Sequence, residues 1–241
     1  MLDYKISEWS IERCPHCQFA KIDPLPTQTS RPVFYSKDNI QQRFKKKRSP
    51  ARQLFKTLKS WTNNTFHWNK SSIFQQKIEH YVKKGGKVFD VGCGDGSFLN
   101  QIRDNYQCYG IEISDYLAER AVERGMTNVK TGNFLTMDLG ADRYDALTMI
   151  SIIEHIDQPK VALQQCFDHL KDGGVLLLKT PNYNCLLRSM MGKKWSGLRP
   201  PDHVVYFNPT NLKKLLKDIG FKKFKTRAWP MSDNMYIDAW K

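Results

Sequence analysis

The chain has 241 residues, with 38 lysines and arginines against 24 aspartates and glutamates, and a formal net charge of +14. This length suits one α/β domain with extensions and allows a substantial core. No apolar run approaches the ~20 residues that cross a bilayer, residues 1–5 lack a signal-peptide core, and the six cysteines are scattered, so we expect a cytoplasmic protein with reduced thiols.

The charge is unevenly distributed along the chain. Residues 1–84 hold 17 Lys+Arg and 6 Asp+Glu, residues 85–180 hold 9 and 14, and residues 181–241 hold 12 and 4. The two basic flanks indicate either a solvated surface or an anionic partner. The anionic partners that fit are a phosphorylated or nucleotide-linked small molecule, a membrane surface and RNA.

Residues 1–70 are predicted to be an irregular N-terminal extension. Cys14-Pro15-His16-Cys17 has the spacing of a zinc half-site, but a closed site needs four ligands and no second cysteine pair lies nearby. The same tetrapeptide occurs in thioredoxin-type dithiols, between a strand and a helix. The remnant of a zinc site, or a plain loop, is expected here, with no bound metal. The basic run 43–48 suits a solvated arm or a phosphate contact.

Residues 71–84 are predicted to form an amphipathic helix that ends at Gly85-Gly86. Its apolar stripe consists of Ile73, Phe74, Ile78, Tyr81 and Val82. This helix could cover a ligand entrance or pack on a sheet edge, and the spacing does not distinguish the two.

A glycine-rich stretch then follows an apolar run at 88–91. Gly92, Gly94 and Gly96 can adopt backbone angles that are closed to other residues, and a helical spacing begins after Ser97. A strand, a glycine turn and a helix N-terminus form an anion-binding corner. The next predicted strand ends at Glu112, where a carboxylate can accept both hydroxyls of a ribose. These features predict a nucleoside-containing cofactor.

The spacing of the glycines helps to choose the cofactor. A dinucleotide fingerprint would place its third glycine at position 97, which is Ser97, and Asp90 puts negative charge where a pyrophosphate would lie. Asp90-x-Gly92-x-Gly94-x-Gly96 followed by Glu112 resembles the class I S-adenosylmethionine-dependent methyltransferases. The resemblance covers about residues 72–229. A dinucleotide site and a purely structural turn are the alternatives.

The resemblance implies a role for each cofactor-binding candidate. Asp90 would hold the amino group of S-adenosylmethionine, and the backbone around Gly92 and Gly94 its methionine part. Glu112 would hold the ribose, and Asn133, where the family usually has aspartate, would accept a hydrogen bond from the adenine amino group. The predicted cofactor-binding residues are Asp90, Gly92, Cys93, Gly94, Glu112, Ile113, Asn133, Phe134 and Ser151.

Strands and helices alternate from residue 87 to residue 180, which predicts a parallel sheet with right-handed crossovers. Strands are expected near 87–91, 107–112, 127–131, 144–150 and 174–180, and helices near 96–104, 115–125 and 159–171. A further helix should begin at Asn208-Pro209 and end at Gly220. With a final strand pair, as in the family, the fold class is α/β, a Rossmann-like seven-stranded mostly parallel sheet flanked by helices. We assign residues 71–241 to this domain.

Glu154-His155, after the fourth core strand, resembles the branch of the family that contains the ubiquinone-type O-methyltransferases. If the acceptor is a hydroxyl, a base must remove its proton. His155 is the first candidate for this base and His203 the second, because histidine titrates near neutral pH. A structural role for either histidine is the alternative.

Residues 183–207 are predicted to form a lid-like insert that supplies the acceptor pocket. Four residues should cradle the acceptor: Tyr183, Trp195, His203 and Tyr206. Four should meet an anionic group on it: Arg188, Lys193, Lys194 and Arg199. We therefore expect a small-molecule acceptor, anionic, saccharide or lipid-linked. Nucleic acid is a less favoured partner, residues 186–195 could touch a membrane surface, and a non-catalytic cofactor-binding module is a further alternative.

Overall fold

A computed structural model describes residues 1–26, 36–45 and 70–241. Its strands are β1 (Leu2–Ile6), β2 (Trp9–Arg13), β3 (Ala20–Asp23), β4 (Lys87–Val91), β5 (Gln107–Glu112), β6 (Val129–Thr131), β7 (Tyr144–Ile150), β8 (Leu170–Pro181), β9 (Val205–Tyr206), β10 (Lys223–Ala228) and β11 (Asn234–Trp240). Its α-helices are α1 (Lys37–Lys45), α2 (Lys70–Tyr81), α3 (Ser97–Ile102), α4 (Asp115–Glu123), α5 (Pro159–His169), α6 (Leu186–Met191) and α7 (Pro209–Ile219), with short 3₁₀ helices at Ile153–His155 and Gly192–Lys194.

Seven strands form the central sheet in the order β10-β11-β8-β7-β4-β5-β6. The pairs among β4, β5, β6, β7 and β8 are parallel, and β11 lies antiparallel to both β8 and β10. The predicted Rossmann-like seven-stranded sheet is therefore confirmed. Strand β4 lies between β5 on one side and β7 on the other, so the strand order reverses at β4. Such a reversal leaves a crevice at the carboxyl ends of these strands.

Helices cover both faces of this sheet. Because successive side chains of a strand point to opposite faces, one strand can contribute to both apolar clusters. On β8, Leu176 and Leu178 pack in one apolar cluster, whereas Val175 and Leu177 pack in the other. Helices α5 and α7 cover the first face, and α2 and α3 cover the second. Helix α7 begins with a capping box at Asn208, as its sequence predicts.

The N-terminal extension is not irregular in the described residues, so this part of the prediction is wrong. Strands β1, β2 and β3 form an antiparallel sheet that continues through β9 of the main domain. Ala20 and Ile22 are fully buried while Lys21 and Asp23 are exposed. This short alternation is a strand signal, and the pairing with β9, more than 180 residues away in sequence, could not be read from it. Residues 46–48 of the basic run 43–48 lie outside the described residues.

Helix α2 packs on the sheet, which decides between its two predicted roles. Phe74, Ile78 and Val82 are buried, and the ring of Phe74 lies 6.2 Å from that of Phe98 in an edge-to-face contact. A different helix reaches the crevice, since Ile40 of α1 lines it. The predicted domain start at residue 71 falls at the beginning of α2, and this boundary stays a prediction.

The insert after β8 is well packed. Tyr183, Trp195 and Tyr206 are almost fully buried, and the guanidinium of Arg188 lies 4.1 Å from the ring centre of Tyr183. These three aromatic residues belong to the core and do not line the crevice, contrary to the prediction. Among the described residues, the helices are all too short or too polar to cross a membrane.

Candidate active site

The glycine turn after β4 adopts the backbone that its sequence predicts. Gly92 has a φ of +70° and Gly94 a φ of +57°, values that favour glycine. A Cβ on Gly92 would lie 2.2 Å from Cδ1 of Ile152, so a side chain here would force Ile152 to move. A Cβ on Gly94 would meet no atom within 4 Å, and Gly94 lines the crevice. The backbone at Gly94 is therefore open to a ligand.

Glu112 stands at the tip of β5, facing this turn. Its Oε2 accepts a hydrogen bond of 2.8 Å from the backbone N–H of Gly94, and its Oε1 accepts one of 2.9 Å from that of Ser114. Burial raises the pKa of Glu112, and the backbone hydrogen bonds oppose this shift. A carboxylate offers about four acceptor positions, so two hydroxyls can still be bound.

Asp90 and Cys93 lie behind the crevice wall and do not line the crevice. The Thr148 hydroxyl donates to Oδ1 of Asp90 at 2.5 Å. Burial raises the pKa of Asp90 to about 7, and the Thr148 hydrogen bond opposes this shift. Sγ of Cys93 lies 2.9 Å from the position of a Cβ on Gly110, so Cys93 fills space beneath the turn. A direct contact of either side chain with the cofactor is not supported by this placement.

The predicted adenine and ribose contacts lie at the wall between β5 and β6. Ile113, Asn133 and Phe134 line the crevice there. Oδ1 of Asn133 accepts a hydrogen bond of 3.0 Å from the backbone N–H of Leu135 and retains a second lone pair. Ile113 is 45% exposed, which leaves an apolar surface for a ribose or a base.

These residues belong to one cavity of about 920 Å³. Such a volume accommodates a cofactor together with a small second ligand. One end is lined by the glycine turn, Glu112 and Asn133. The other end is lined by residues that follow β7, by the end of β8 and by the insert: Ser151, Glu154, His155, Lys179, Pro181, Ser196, Arg199, Asp202 and His203. We call this second end the acceptor chamber. The predicted contact of Ser151 with the cofactor stays a prediction. Three of the four basic residues expected to meet an anionic group do not line the cavity: Arg188, Lys193 and Lys194.

His155 lines the acceptor chamber and is oriented by Asp202. Its Nδ1 lies 2.7 Å from the carbonyl oxygen of Asp202 and 3.2 Å from the carboxylate Oδ1 of the same residue. Burial lowers the pKa of His155, but the hydrogen bond to Asp202 and the charges of Glu154 and Asp202 outweigh this and raise it. With Nδ1 donating to a carbonyl oxygen, Nε2 is the nitrogen that remains for a ligand.

His203 lies beside His155, with ring centres 4.8 Å apart. Its Nδ1 lies 2.8 Å from the carbonyl oxygen of Gly197. Burial, together with the charges of His155 and Arg199, lowers the pKa of His203 to about 3. His203 is therefore neutral at physiological pH and is the weaker base of the two. The structure brings both predicted histidines into one chamber.

Among the described residues, one group of three could share a metal ion. Ligand atoms of Glu154, His155 and His203 all lie within 4.8 Å of one another. The Glu154 carboxylate also accepts a hydrogen bond of 2.9 Å from the Thr180 hydroxyl, and burial raises its pKa. The sequence pattern pointed to no metal at this site, and that expectation stays a prediction.

Comparison with known proteins gives the family. A sequence model of a protein family, described as a methyltransferase domain, matches residues 36–226. The chain belongs to this methyltransferase family. A ubiquinone biosynthesis O-methyltransferase from Leptothrix cholodnii is 29% identical over 181 residues, which are 67% of this chain and 77% of that protein. Relatives of the same name from Coxiella burnetii and a Shewanella species are 25% and 26% identical, and the matches span 64% and 61% of their lengths.

Solved structures show the same fold. Magnesium protoporphyrin IX methyltransferase from Synechocystis, solved with bound S-adenosylhomocysteine, is 15% identical and superposes with a TM-score of 0.64, covering 89% of this chain and all of that one. A SAM-dependent methyltransferase from Archaeoglobus fulgidus is 18% identical, with a TM-score of 0.57 and coverage of 75% and 98%. At these identities the similarity establishes the fold of the methyltransferase.

The cofactor of the methyltransferase is S-adenosylmethionine, and the crevice fits it. The open backbone at Gly94 suits the methionine part, and the Glu112 carboxylate suits a ribose. Asp90 lies near enough to Glu112 for their charges to interact. Two carboxyl groups so close to the glycine turn favour a cationic cofactor over a pyrophosphate.

Many residues that line the cavity were not predicted from the sequence, and four of them show why. Pro26 and Ile40 come from the extension, and Lys179 and Asp202 come from β8 and the insert. Lys179 could have been found, because a lysine directly follows the apolar run 175–178 within the predicted strand 174–180. The contribution of the extension depends on tertiary contacts that no local pattern carries.

Proposed function

We propose that this methyltransferase transfers the methyl group of S-adenosylmethionine to an oxygen atom of a small acceptor bound in the acceptor chamber. The observation that carries the proposal is the orientation of His155 by Asp202, at 2.7 Å from its carbonyl oxygen. The names of the curated relatives, ubiquinone biosynthesis O-methyltransferases, support an oxygen acceptor.

The bound cofactor supplies an activated methyl group on a cationic sulfur. The remaining work of the protein is to position the acceptor and to remove its proton. Nε2 of His155 takes the proton from the acceptor hydroxyl, and Asp202 stabilises the imidazolium that forms. The Glu154 carboxyl group, whose own pKa is raised by burial, lies close enough to help raise the pKa of His155. His203 packs edge-on against His155 and limits its rotation.

The chamber favours a small acceptor. It is one end of a cavity of about 920 Å³ that must also hold the cofactor, and Ser196, Arg199 and His203 of the insert form part of its wall. An acceptor the size of a substituted phenol fits this space. An RNA strand would need to present a single base to the same end of the cavity.

The proposal is tested by methyl transfer from S-adenosylmethionine to three acceptor panels: phenols and catechols, primary amines, and transfer RNA. Mass spectrometry of the products identifies the methylated atom. We expect O-methylated products from the first panel. Methylation of only amines or RNA would contradict the proposal, and cofactor binding without turnover on any panel would favour a non-catalytic binding module.

A further inference from the structure

The pair Cys14 and Cys17 forms the tip of the hairpin between β2 and β3, and the methyl-transfer mechanism does not use it. The backbone N–H of Cys14 donates to the carbonyl oxygen of Phe19 at 2.9 Å. The backbone N–H of Gln18 donates to the carbonyl oxygen of Cys14 at 3.0 Å. These two bonds fold residues 15–17 into a tight turn, so both cysteines lie at the same end of the hairpin.

The two thiols of this turn contact each other. Sγ of Cys14 accepts hydrogen bonds from the backbone N–H groups of Cys17 and His16 and is hydrogen-bonded to the Cys17 thiol. The two sulfur atoms are therefore neighbours, as the geometry of a disulfide requires. The same hydrogen bonds lower the pKa of Cys14, and burial opposes this shift. A lower pKa increases the fraction of thiolate, which is the reactive form of cysteine.

The remaining four cysteines of the chain have the opposite surroundings: Cys93, Cys108, Cys166 and Cys185. Three of them are buried and Cys108 is half-buried. Burial raises the pKa of all four thiols, that of Cys108 to about 12. In contrast, Cys17 is exposed and Cys14 is half-buried. Thiol reactivity should therefore be confined to the tip of the hairpin.

The position of the pair in the fold indicates the kind of site. A strand precedes the turn and a second strand follows it, whereas a thioredoxin-type dithiol is followed by a helix. Neither cysteine lines the cavity. The pair can thus react with a dissolved molecule that does not enter the active site, and the fold favours a site that is itself modified over an oxidoreductase centre.

We propose that Cys14 and Cys17 form a redox-reactive dithiol, which small-molecule disulfides of the glutathione type convert to an intramolecular disulfide. The Cys14 thiolate attacks one sulfur of the oxidant, forms a mixed disulfide and releases one thiolate. Cys17 loses its proton and attacks Sγ of Cys14, which releases the second thiolate. Two protein thiols are oxidised, one disulfide is reduced to two thiols, and the two protons pass to the released thiolates. The inference does not depend on the acceptor of the methyl group.

The test follows the thiols of the reduced, full-length protein in the presence of oxidised glutathione. The chelator EDTA is included, so that a bound metal does not mask the cysteines. We expect the intact mass to fall by two hydrogen atoms. Trypsin should release residues 14–21 as one peptide, because Arg13 precedes it and Lys21 ends it. This peptide should carry the disulfide between Cys14 and Cys17.

Single substitutions separate the two steps. Cys17→Ser should stop at the first step and keep a glutathione adduct on Cys14. Cys14→Ser should react on the order of tenfold more slowly, because the attacking thiolate is lost. Cys108→Ser, a half-buried cysteine of the main domain, is the matched control and should form the disulfide as the wild type does.

Two results would overturn the inference. One is a peptide 14–21 that keeps both thiols free while oxidised glutathione is in excess. The other is an adduct that appears first on a buried cysteine such as Cys166. The wild-type peptide alone decides the first question, so the inference stays testable if a variant does not fold.

Discussion

The carboxylate of Glu112 accepts a hydrogen bond from the backbone N–H of Gly94 at 2.8 Å, which joins the two halves of the cofactor motif across 18 residues of sequence. The bond orients the carboxylate before any cofactor binds. It also holds the glycine turn in the conformation that exposes its backbone to the crevice.

Replacement of Glu112 should therefore weaken cofactor binding. We expect Glu112→Ala to lose about tenfold or more in affinity for S-adenosylhomocysteine, since hydrogen bonds to a charged group are worth ~1.5–3 kcal/mol. Isothermal titration calorimetry measures the change. Glu119→Ala, an exposed acid on α4, is the control and should bind as the wild type does. An unchanged affinity in Glu112→Ala would show that the ribose lies elsewhere.

Gly94 gives a second test of the cofactor site, with a control matched for backbone strain. Gly94 and Gly140 both have positive φ, at +57° and +65°, and a Cβ on either would meet no atom within 4 Å. Only Gly94 lines the crevice. Gly94→Ala and Gly140→Ala should each lose about 1 kcal/mol of stability from strain. Only Gly94→Ala should also weaken cofactor binding, and Gly94→Val should abolish it. Similar binding by the two alanine variants would refute this placement of the methionine part.

Asp90 should make stability depend on pH. Its pKa of about 7 in the folded chain lies above the ~3.9 of an unfolded aspartate, so between these values the folded state keeps a proton that the unfolded state has released. The free energy of unfolding therefore falls as the pH rises from about 4 to about 7, by roughly 1.4 kcal/mol per pH unit from this group.

Asp90→Asn should remove that contribution. Urea unfolding at several pH values should show Asp90→Asn gaining stability relative to the wild type as the pH rises through this window. Asp104→Asn, whose side chain is 92% exposed, should leave the profile unaltered. Parallel curves for Asp90→Asn and the wild type would mean that Asp90 is ionised when folded. Cofactor affinity of the same variant tests the predicted contact with the amino group.

His155 should control the rate at low pH. A general base must be neutral to accept a proton, and the pKa of His155 lies above its usual value of about 6.5. We expect kcat to fall as the pH drops through this raised pKa. His155→Gln should lower kcat by about 10²–10⁴-fold with little change in cofactor affinity. His80→Gln, an exposed histidine on α2, serves as the control. A wild-type turnover in His155→Gln would assign His155 a structural role.

Metal analysis tests two places at once. Cys14 and Cys17 flank the turn between β2 and β3, and among the described residues neither belongs to a cluster of three metal ligands. Glu154, His155 and His203 do form such a cluster. We expect less than one equivalent of zinc per chain after purification without chelators. A full equivalent that is lost in Cys14→Ser would establish a zinc site in the extension, and one lost in His203→Gln would establish a site in the chamber.

The sequence predicted the central sheet well because its strands are apolar and its turns carry glycines. The predicted bounds 87–91, 107–112 and 144–150 agree with β4, β5 and β7. Strand β4 lies between Gly86 and Gly92, β5 ends at Glu112, and β7 begins after Arg143. The carboxyl-end location of Glu112 and His155 followed from the same strand order.

Other parts of the site could not be predicted from local patterns. Tyr183, Trp195 and Tyr206 looked like a ligand cradle, because aromatic residues serve packing and binding equally well. The structure buries them in the core. Pro26 and Ile40 reach the cavity through contacts across more than 50 residues of sequence.

The pairing of β3 with β9 ties the first 26 residues to the wall that carries His203. The backbone N–H of Ile22 donates to the carbonyl oxygen of Val204 at 3.0 Å, and that of Val204 donates to the backbone carbonyl oxygen of Glu154 at 2.9 Å. A shortened version that starts at residue 36, where the family match begins, would remove the partner of β9 and bare Val204 to water. A shortened version made for crystallisation should therefore retain β1, β2 and β3. Substitutions in these three strands should change which acceptor is bound, and the end of the cavity that holds the cofactor should be unaffected.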